Sequence, residues 1–302
     1  MKTSLLLLAP LALLILGCQG GKKSSSPTVA DEVGATTPIV SAMPESAQAA
    51  IDGTQTLTLA DGVKVTWIND NLENHPNPPS LFPDASEELI RELGLENGME
   101  STVSTFLVET DGIRVLFDTG IGREGSQLIA RMQALGVSPE DLQYLYLTHY
   151  HGDHIGGMLT GGTITFPNAQ VYAPRVEHEA WMAMTADKNA LQVKTFEAYA
   201  DRLHLFEFGD ELPGGIVPIA AVGHTPGHTA FRVGRHLLII GDLMHGAALQ
   251  IPHPEICAKY DMDPAAAVEA RQRILNYART EGLVMAGMHL PAPAFIQSLD
   301  SE

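Results

Sequence analysis

The stretch Thr148–Gly157, THYHGDHIGG, places His149, His151, Asp153 and His154 within six positions, directly after the apolar run YLYL. A buried strand does not ordinarily carry so many ionisable side chains, and a solvated loop has no reason to collect histidines behind a strand. In an extended segment His149 and His151, two residues apart, point to one side. Gly152 then lets the backbone turn, so that Asp153 and His154 face a second position nearby. Neutral imidazole and carboxylate donors suit zinc and similar borderline divalent metals.

One cluster rarely completes a metal site, and further candidates stand at other strand ends. VGHTPGHT (222–229) puts His224 after an apolar run, with Pro226 and Gly227 bending the chain. LLIIGDLMH (237–245) does the same with Asp242, and LVMAGMH (283–289) with His289. Five histidines and two aspartates, distant in sequence, are thus offered from the ends of a rigid scaffold. Asp118 in LFDTG is another strand-end acid, expected to support the metal loop by hydrogen bonding. His245, three residues after Asp242, is close enough to approach. His75, His178, His204, His236 and His253 have no partner at ligand spacing and are expected at surface or satisfied polar positions.

The chain has 302 residues, 45% of them hydrophobic, enough for a sizeable core. Lys and Arg number 18 against 36 Asp and Glu, a net charge of −18. Such a balance works against nucleic-acid partners, which need clustered cations. At the start, Lys2 and the run LLLLAPLALLIL have signal-peptide shape, and ILGC ending at Cys18 resembles the lipobox of bacterial lipoproteins. Residues 1–18 are therefore expected to be a leader with Cys18 lipidated. Residues 19–50, rich in Gly, Ser, Thr, Pro and Ala, should be a flexible tether, and 51–302 the folded domain. The expected location is exported and lipid-anchored to a bacterial membrane, on the periplasmic face of an outer membrane if the host has one. Lipidation of Cys18 would leave Cys257 as a single buried thiol.

Within the domain, Asp61-Gly62 and Asp111-Gly112 each separate two β-type runs and predict hairpins. Between these hairpins lies a Pro-rich loop (72–86), then a helix near 86–94. Helices are also expected over SQLIARMQAL, near 176–184 and 188–202, and from Asp263-Pro264 to about Ala278. TITF, QVYAP, VPIAAVGH, AFRVG and HLLIIGD read as strands.

The order HxHxDH, then GHTPGH, then GD, then a late strand-end histidine resembles the metallo-β-lactamase superfamily over about residues 56–290. The resemblance implies an α/β (α+β) fold, a four-layer αββα sandwich of two mixed β-sheets flanked by helices. It also implies two divalent metal ions, Zn2+ in the first instance, with Fe, Mn or Co as alternatives. His149, His151 and His224 would hold one ion, and Asp153, His154 and His289 the other, with Asp242 bridging them and His228 beside the ligands as a supporting residue. A hydroxide shared by the ions would attack a small ester, lactone or phosphotriester, with Asp153 relaying a proton to the leaving group. SLFPDAS, DTGIG, FPNAQVYAPRVEHEAWM and AGMHLPAPAF resemble segments of the methyl parathion hydrolase-like group and related lactonases. On that basis Trp181 and Phe295 are expected to wall an apolar substrate pocket, with core packing the alternative for Trp181. The partners would be a small-molecule substrate and the membrane, with no nucleic acid, and a homodimer is compatible with the group. Two other functions fit the same motifs: a non-catalytic metal-holding binding or sensing protein, and a mononuclear iron persulfide dioxygenase.

Overall fold

The structure, a computed structural model, describes residues 51–297. The expected leader, Cys18 and the tether lie outside the described residues. Among the described residues no helix is long and apolar enough to cross a membrane.

The chain begins with antiparallel strands β1 (Thr54–Thr58) and β2 (Lys64–Asn69), followed by the Pro-rich loop and helix α1 (Glu87–Glu92). Ser86 caps α1 by accepting from the Leu89 amide at 3.1 Å. Next come β3 (Ser104–Thr110), β4 (Ile113–Phe117), α2 (Leu128–Ala134) and β5 (Tyr144–Tyr146). Asp111 and Gly112 both have positive φ, 49° and 77°, the backbone that a two-residue hairpin turn needs. A short helix α3 (Gly152–Ile155) and a small hairpin, β6 (Leu159–Thr160) with β7 (Thr163–Ile164), precede β8 (Gln170–Pro174). Helices α4 (Arg175–Met182) and α5 (Ala186–Ala198) lead to β9 (Leu203–Phe206). The second half holds β10 (Val217–Ala220), β11 (Thr229–Val233), β12 (Leu237–Gly241), α6 (Ala247–Gln250), α7 (Pro264–Glu281), β13 (Val284–Gly287) and β14 (Phe295–Ile296).

Two mixed sheets result, ordered β1-β2-β3-β4-β5-β8-β9 and β10-β11-β12-β13-β14. The period of two along the strands explains the layers. Val65, Trp67, Phe106, Val108, Val115, Phe117 and Tyr146 enter one core with Phe231, Ile239 and Met285 of the other sheet. Their alternates Ile68, Leu107, Leu116 and Leu145 enter a second core with Leu128 and Met132 of α2, Trp181 of α4 and Phe196 of α5. On the far side, Ile274, Leu275 and Ala278 of α7 join the first core. The expected αββα sandwich is thus the observed fold. The sequence reading did not resolve α3, β9 or β14. Each is short and held by neighbours more than by its own pattern.

Candidate metal centre

The opening motif occupies the loop after β5 and the four residues of α3. Leu147 continues the sheet, its amide donating to Tyr172 O at 3.0 Å, and the strand then yields to a bend. Asp118, at the end of β4, holds the bend from below. It accepts from the Thr148 amide at 2.8 Å and the Thr148 hydroxyl at 2.7 Å, and it contacts His154 Nδ1 at 2.7 Å. Asp118 has φ 59°, a left-handed conformation that Asp tolerates better than most residues. The two glycines closing the motif have a steric purpose. A Cβ at Gly157 would lie 2.0 Å from Thr119 O, and one at Gly156 2.3 Å from Ile121 O. Only glycine lets the loop after β4 press that closely on the motif.

His224 leaves the turn after β10, Asp242 follows β12, and His289 follows β13. The side chains converge on Asp242. Its Oδ2 lies 3.7 Å from His149 Nε2, 3.3 Å from His224 Nε2 and 3.0 Å from His289 Nε2. Its Oδ1 lies 3.2 Å from His154 Nε2. His151 presents the other ring nitrogen: Nδ1 is 3.1 Å from His149 Nε2 and 2.9 Å from His224 Nε2. Asp153 Oδ2 is 3.3 Å from His289 Nε2, and Oδ1 is 3.8 Å from His154 Nε2. Four overlapping donor groups follow: His149-His151-His224-Asp242 and Asp153-His154-His289 take in all seven candidates, while His224-His245-Asp261 and Asp242-His245-His289 add His245 and Asp261, the donor atoms in each group lying within 4.8 Å of one another. All seven sequence candidates are therefore brought together.

The donor set fits divalent cations. His154 Nε2 and Asp242 Oδ1 are buried and face each other, yet neither has a hydrogen-bond partner. Buried polar atoms are rarely left so unless something else satisfies them. In four of the five donor histidines the far ring nitrogen is fixed: His149 Nδ1 by the Thr148 hydroxyl at 3.0 Å, His154 by Asp118, His224 by Asp261 at 3.0 Å and His289 by Thr102 O at 2.8 Å. Such partners set the tautomer that turns the other nitrogen's lone pair inward. Burial holds the His149 pKa well below the imidazole range and takes His151 down to about 3, so both offer neutral rings. Burial also opposes charge on His154 and His289, but the carboxylates prevail. Asp242, Asp153 and Asp118 lift His154 well above its ordinary value, and Asp242 and Asp153 bring His289 to about 10. The pocket's field thus draws in positive charge, which a cation satisfies as protons do.

His228 stands apart from the donors. Its Nδ1 donates to Ala221 O at 2.9 Å, and its Nε2 accepts the Asp242 amide at 3.0 Å, so it braces the Asp242 backbone. His245 does reach the site: its Nε2 is 3.3 Å from Asp242 Oδ2, and its buried Nδ1 has no partner. A cavity of about 470 Å³ opens over the cluster, lined among others by Asn71, His75, Asn77, Val103, His245 and Tyr260. His75, expected at an ordinary surface position, sits at this wall. Asn77 pins the Pro-rich loop to the site by donating to His245 O at 2.7 Å.

Of the two readings for Trp181 core packing is the one observed, and the expectation for Phe295 is corrected. Trp181 does not line the cavity. It is 7% exposed, lies edge-on under His151 with ring centroids 5.8 Å apart, and donates to Glu177 Oε1 at 2.7 Å. Phe295 packs on Phe106 and lines a separate apolar groove of about 390 Å³ with Ala247, Ile251 and Leu290. Side chains missed by the sequence reading sit behind the donors. Glu177 is buried and accepts from the Tyr150 amide at 2.9 Å and the Gly227 amide at 2.7 Å, tying together both histidine loops. Asp261 and Arg271 are likewise buried, behind His224. Arg271 had a visible signal, a charge within the apolar stripe Ala267, Ala270, Ile274, Ala278 of α7.

A family model described as the metallo-beta-lactamase superfamily matches residues 98–285. Among curated proteins, the N-acyl homoserine lactonase AttM of Azorhizobium caulinodans is 31% identical over 122 residues, 37% of this chain and 43% of that protein. The chain spans less than two thirds of the length of the first curated relatives it matches. Among solved structures, hydrolase AbOPH of the beta lactamase superfamily is 27% identical with a TM-score of 0.73, covering 84% of this chain and 95% of that one. AidC, a dizinc quorum-quenching lactonase solved with a product, shares the fold at 23% identity and a TM-score of 0.73, covering 80% and 92%.

Proposed function

Since the chain belongs to the metallo-β-lactamase superfamily, we propose that it is an exported, lipid-anchored metallo-hydrolase that uses two divalent cations, zinc in the first instance, on small apolar esters and lactones. The observation that carries this reading is the convergence of seven donors in two groups around one shared carboxylate, Asp242. His149, His151 and His224 would hold one cation, Asp153, His154 and His289 the other, and Asp242 both. A bound pair of cations supplies Lewis acidity and a water activated at neutral pH.

The chain's own residues supply the rest. Asp153 lines the cavity with its side chain 33% exposed, so its carboxylate can accept a proton and pass it to a leaving group above. Ligand spacing is held by Asp118 and Glu177 from beneath, which keeps the site from reorganising as charge develops. Leu72, Tyr260 and Met262, three of the six exposed large apolar side chains among the described residues, belong to the two segments bordering the cavity. That favours an acyl or aryl substituent over a strongly charged substrate. The similarity to AttM and AidC favours lactones within this class, and the phosphotriesters stay in the test panel.

The test combines metal analysis with hydrolysis of lactones, aryl esters, thioesters, phosphotriesters, a β-lactam and single-stranded DNA, with wild type and Asp242→Ala in parallel. The expected result is about two zinc-class ions per chain and turnover of lactone or ester that Asp242→Ala abolishes. Two ions without turnover would turn the reading to a metal-holding binding protein. One iron per chain with persulfide oxidation would turn it to a dioxygenase.

A further inference from the structure

His224 is backed by an unbroken buried chain that reaches α7. Its Nδ1 contacts Asp261 Oδ1 at 3.0 Å. The other carboxylate oxygen of Asp261 accepts from Arg271 Nη2 at 3.2 Å and from the Ala258 amide at 3.2 Å. Arg271, 1% exposed, also donates through Nε to Leu243 O at 2.8 Å, and through Nη1 to Pro254 O at 2.8 Å and Ile256 O at 2.9 Å. Leu243 follows Asp242 directly. One guanidinium therefore orients the carboxylate behind His224 and fixes the backbone beside the shared acid. The same segment is laced to the His224 turn by the Met262 amide on His224 O at 3.1 Å and the Asp263 amide on Gly223 O at 2.8 Å. Gly223 must be glycine here, since a Cβ would meet the Ala267 amide nitrogen at 2.1 Å.

Of the four donor histidines with a fixed far nitrogen, only two are backed by a carboxylate: His154 by Asp118 and His224 by Asp261. Each belongs to a different donor group. Asp261 is balanced by a guanidinium, whereas Asp118 has only the Thr148 amide and hydroxyl besides its histidine.

We propose that Asp261, oriented by Arg271, is the positioning residue for His224: it accepts the Nδ1–H and so commits the Nε2 lone pair to the cation held with His149 and His151. The inference rests on the two-cation reading above. An imidazole free to flip or change tautomer presents an N–H to the cation for part of the time, and its affinity falls accordingly.

The test uses the full chain as wild type, Asp261→Ala and Asp261→Asn, loaded with Zn2+ and titrated against a chromophoric chelator. Nitrogen-15 NMR of the histidine rings and thermal unfolding of the metal-stripped proteins run alongside. Asp261→Ala should weaken one of the two zinc sites by about 10–100-fold and lose the solvent-protected Nδ1–H resonance of His224. Asp261→Asn keeps an acceptor oxygen without the charge, so it should keep a shifted resonance and lose less than about tenfold. A purely structural Asp261 would lower metal-free stability and leave zinc affinity and the resonance as in wild type. That result overturns the proposal. If Asp261→Ala does not fold, Asp261→Asn decides, and a wild-type affinity with an unshifted resonance overturns it. A wild type that binds no zinc would overturn the two-cation reading, and this inference with it, whereas two tight sites insensitive to both substitutions would overturn this inference alone.

Discussion

Glu177 offers the sharpest test of how the fold holds the centre. Its carboxylate accepts three buried donors: Oε1 takes the Tyr150 amide and Trp181 Nε1, and Oε2 takes the Gly227 amide. Tyr150 lies between His149 and His151, and Gly227 lies between His224 and His228, so one side chain sets the distance between two donor loops. No substitute can enter from the Gly227 side, where a Cβ would stand 2.3 Å from the Glu177 amide nitrogen. Replacement by alanine leaves three buried N–H groups unpaired, and each such group costs about 1–3 kcal/mol. The gross loss is thus at least about 3 kcal/mol, partly offset because burial, which pushes the Glu177 pKa up, no longer penalises a charge. Glutamine keeps Oε1 for two of the donors and turns an amide toward Gly227 N–H, so roughly one donor is lost, about 1–3 kcal/mol.

For a domain of this size each kcal/mol moves Tm by about 2–4 °C. Glu177→Gln should therefore melt roughly 2–12 °C below wild type and Glu177→Ala lower still. The measurement is thermal unfolding of metal-stripped protein, so that ligand linkage does not mask the difference. Repeating it with zinc should show a smaller stabilisation in both variants than in wild type, because the two histidine loops no longer stand at fixed spacing. A Glu177→Ala protein melting within 2 °C of wild type would refute the reasoning, with the scale set by the shift of about 2–4 °C per kcal/mol. So would an alanine variant more stable than the glutamine one.

Trp181 and Tyr260 separate foundation from wall: Trp181→Phe should cost about 1 kcal/mol of stability through the lost bond to Glu177 while leaving KM unchanged. Tyr260→Ala, at a cavity position 54% exposed, should leave Tm unchanged and lower kcat/KM for apolar substrates by roughly fivefold, about 1 kcal/mol of contact. An exchange of these two phenotypes in steady-state kinetics and melting would return Trp181 to the pocket wall. His228, taken down to about 3 chiefly by burial, gives a pH signature. Its folded pKa lies below the unfolded value of about 6.5, so the unfolded chain takes up the proton first as pH falls. Its contribution is complete above about pH 6.5 and is lost from there toward pH 3, at up to about 1.4 kcal/mol per pH unit. Urea unfolding of the metal-stripped protein at several pH values should show wild type losing stability faster with acid than His228→Gln, and parallel slopes would remove His228 as the cause.

The sequence disclosed the donors because metal chemistry restricts their types and because each stands where an apolar strand must end. His149, His224, Asp242 and His289 are all readable that way, and Asp118 shares the signal. The layers came only through the resemblance that the donor order carries, and the structure gives their physical reason: in β2, β3 and β4 apolar residues enter the cores on both faces of the sheet. What stayed hidden depends on neighbours across space. Glu177 and Asp261 are ordinary polar letters until the fold places a ring or an amide beside each. Arg271 is the instructive intermediate, since its place in an apolar helical stripe foretells burial but not which carboxylate it meets. The pocket wall misled for the opposite reason. Trp181 and Phe295 stand in segments that resemble those of the methyl parathion hydrolase-like group, but helix and strand geometry turns Trp181 beneath His151 and Phe295 onto Phe106. Tyr260, which does face the cavity, stands eighteen residues after Asp242 with no motif around it. The residues that choose a cation are therefore constrained by chemistry that the chain spells out locally, whereas the residues that choose a substrate are constrained only by the shape the chain makes.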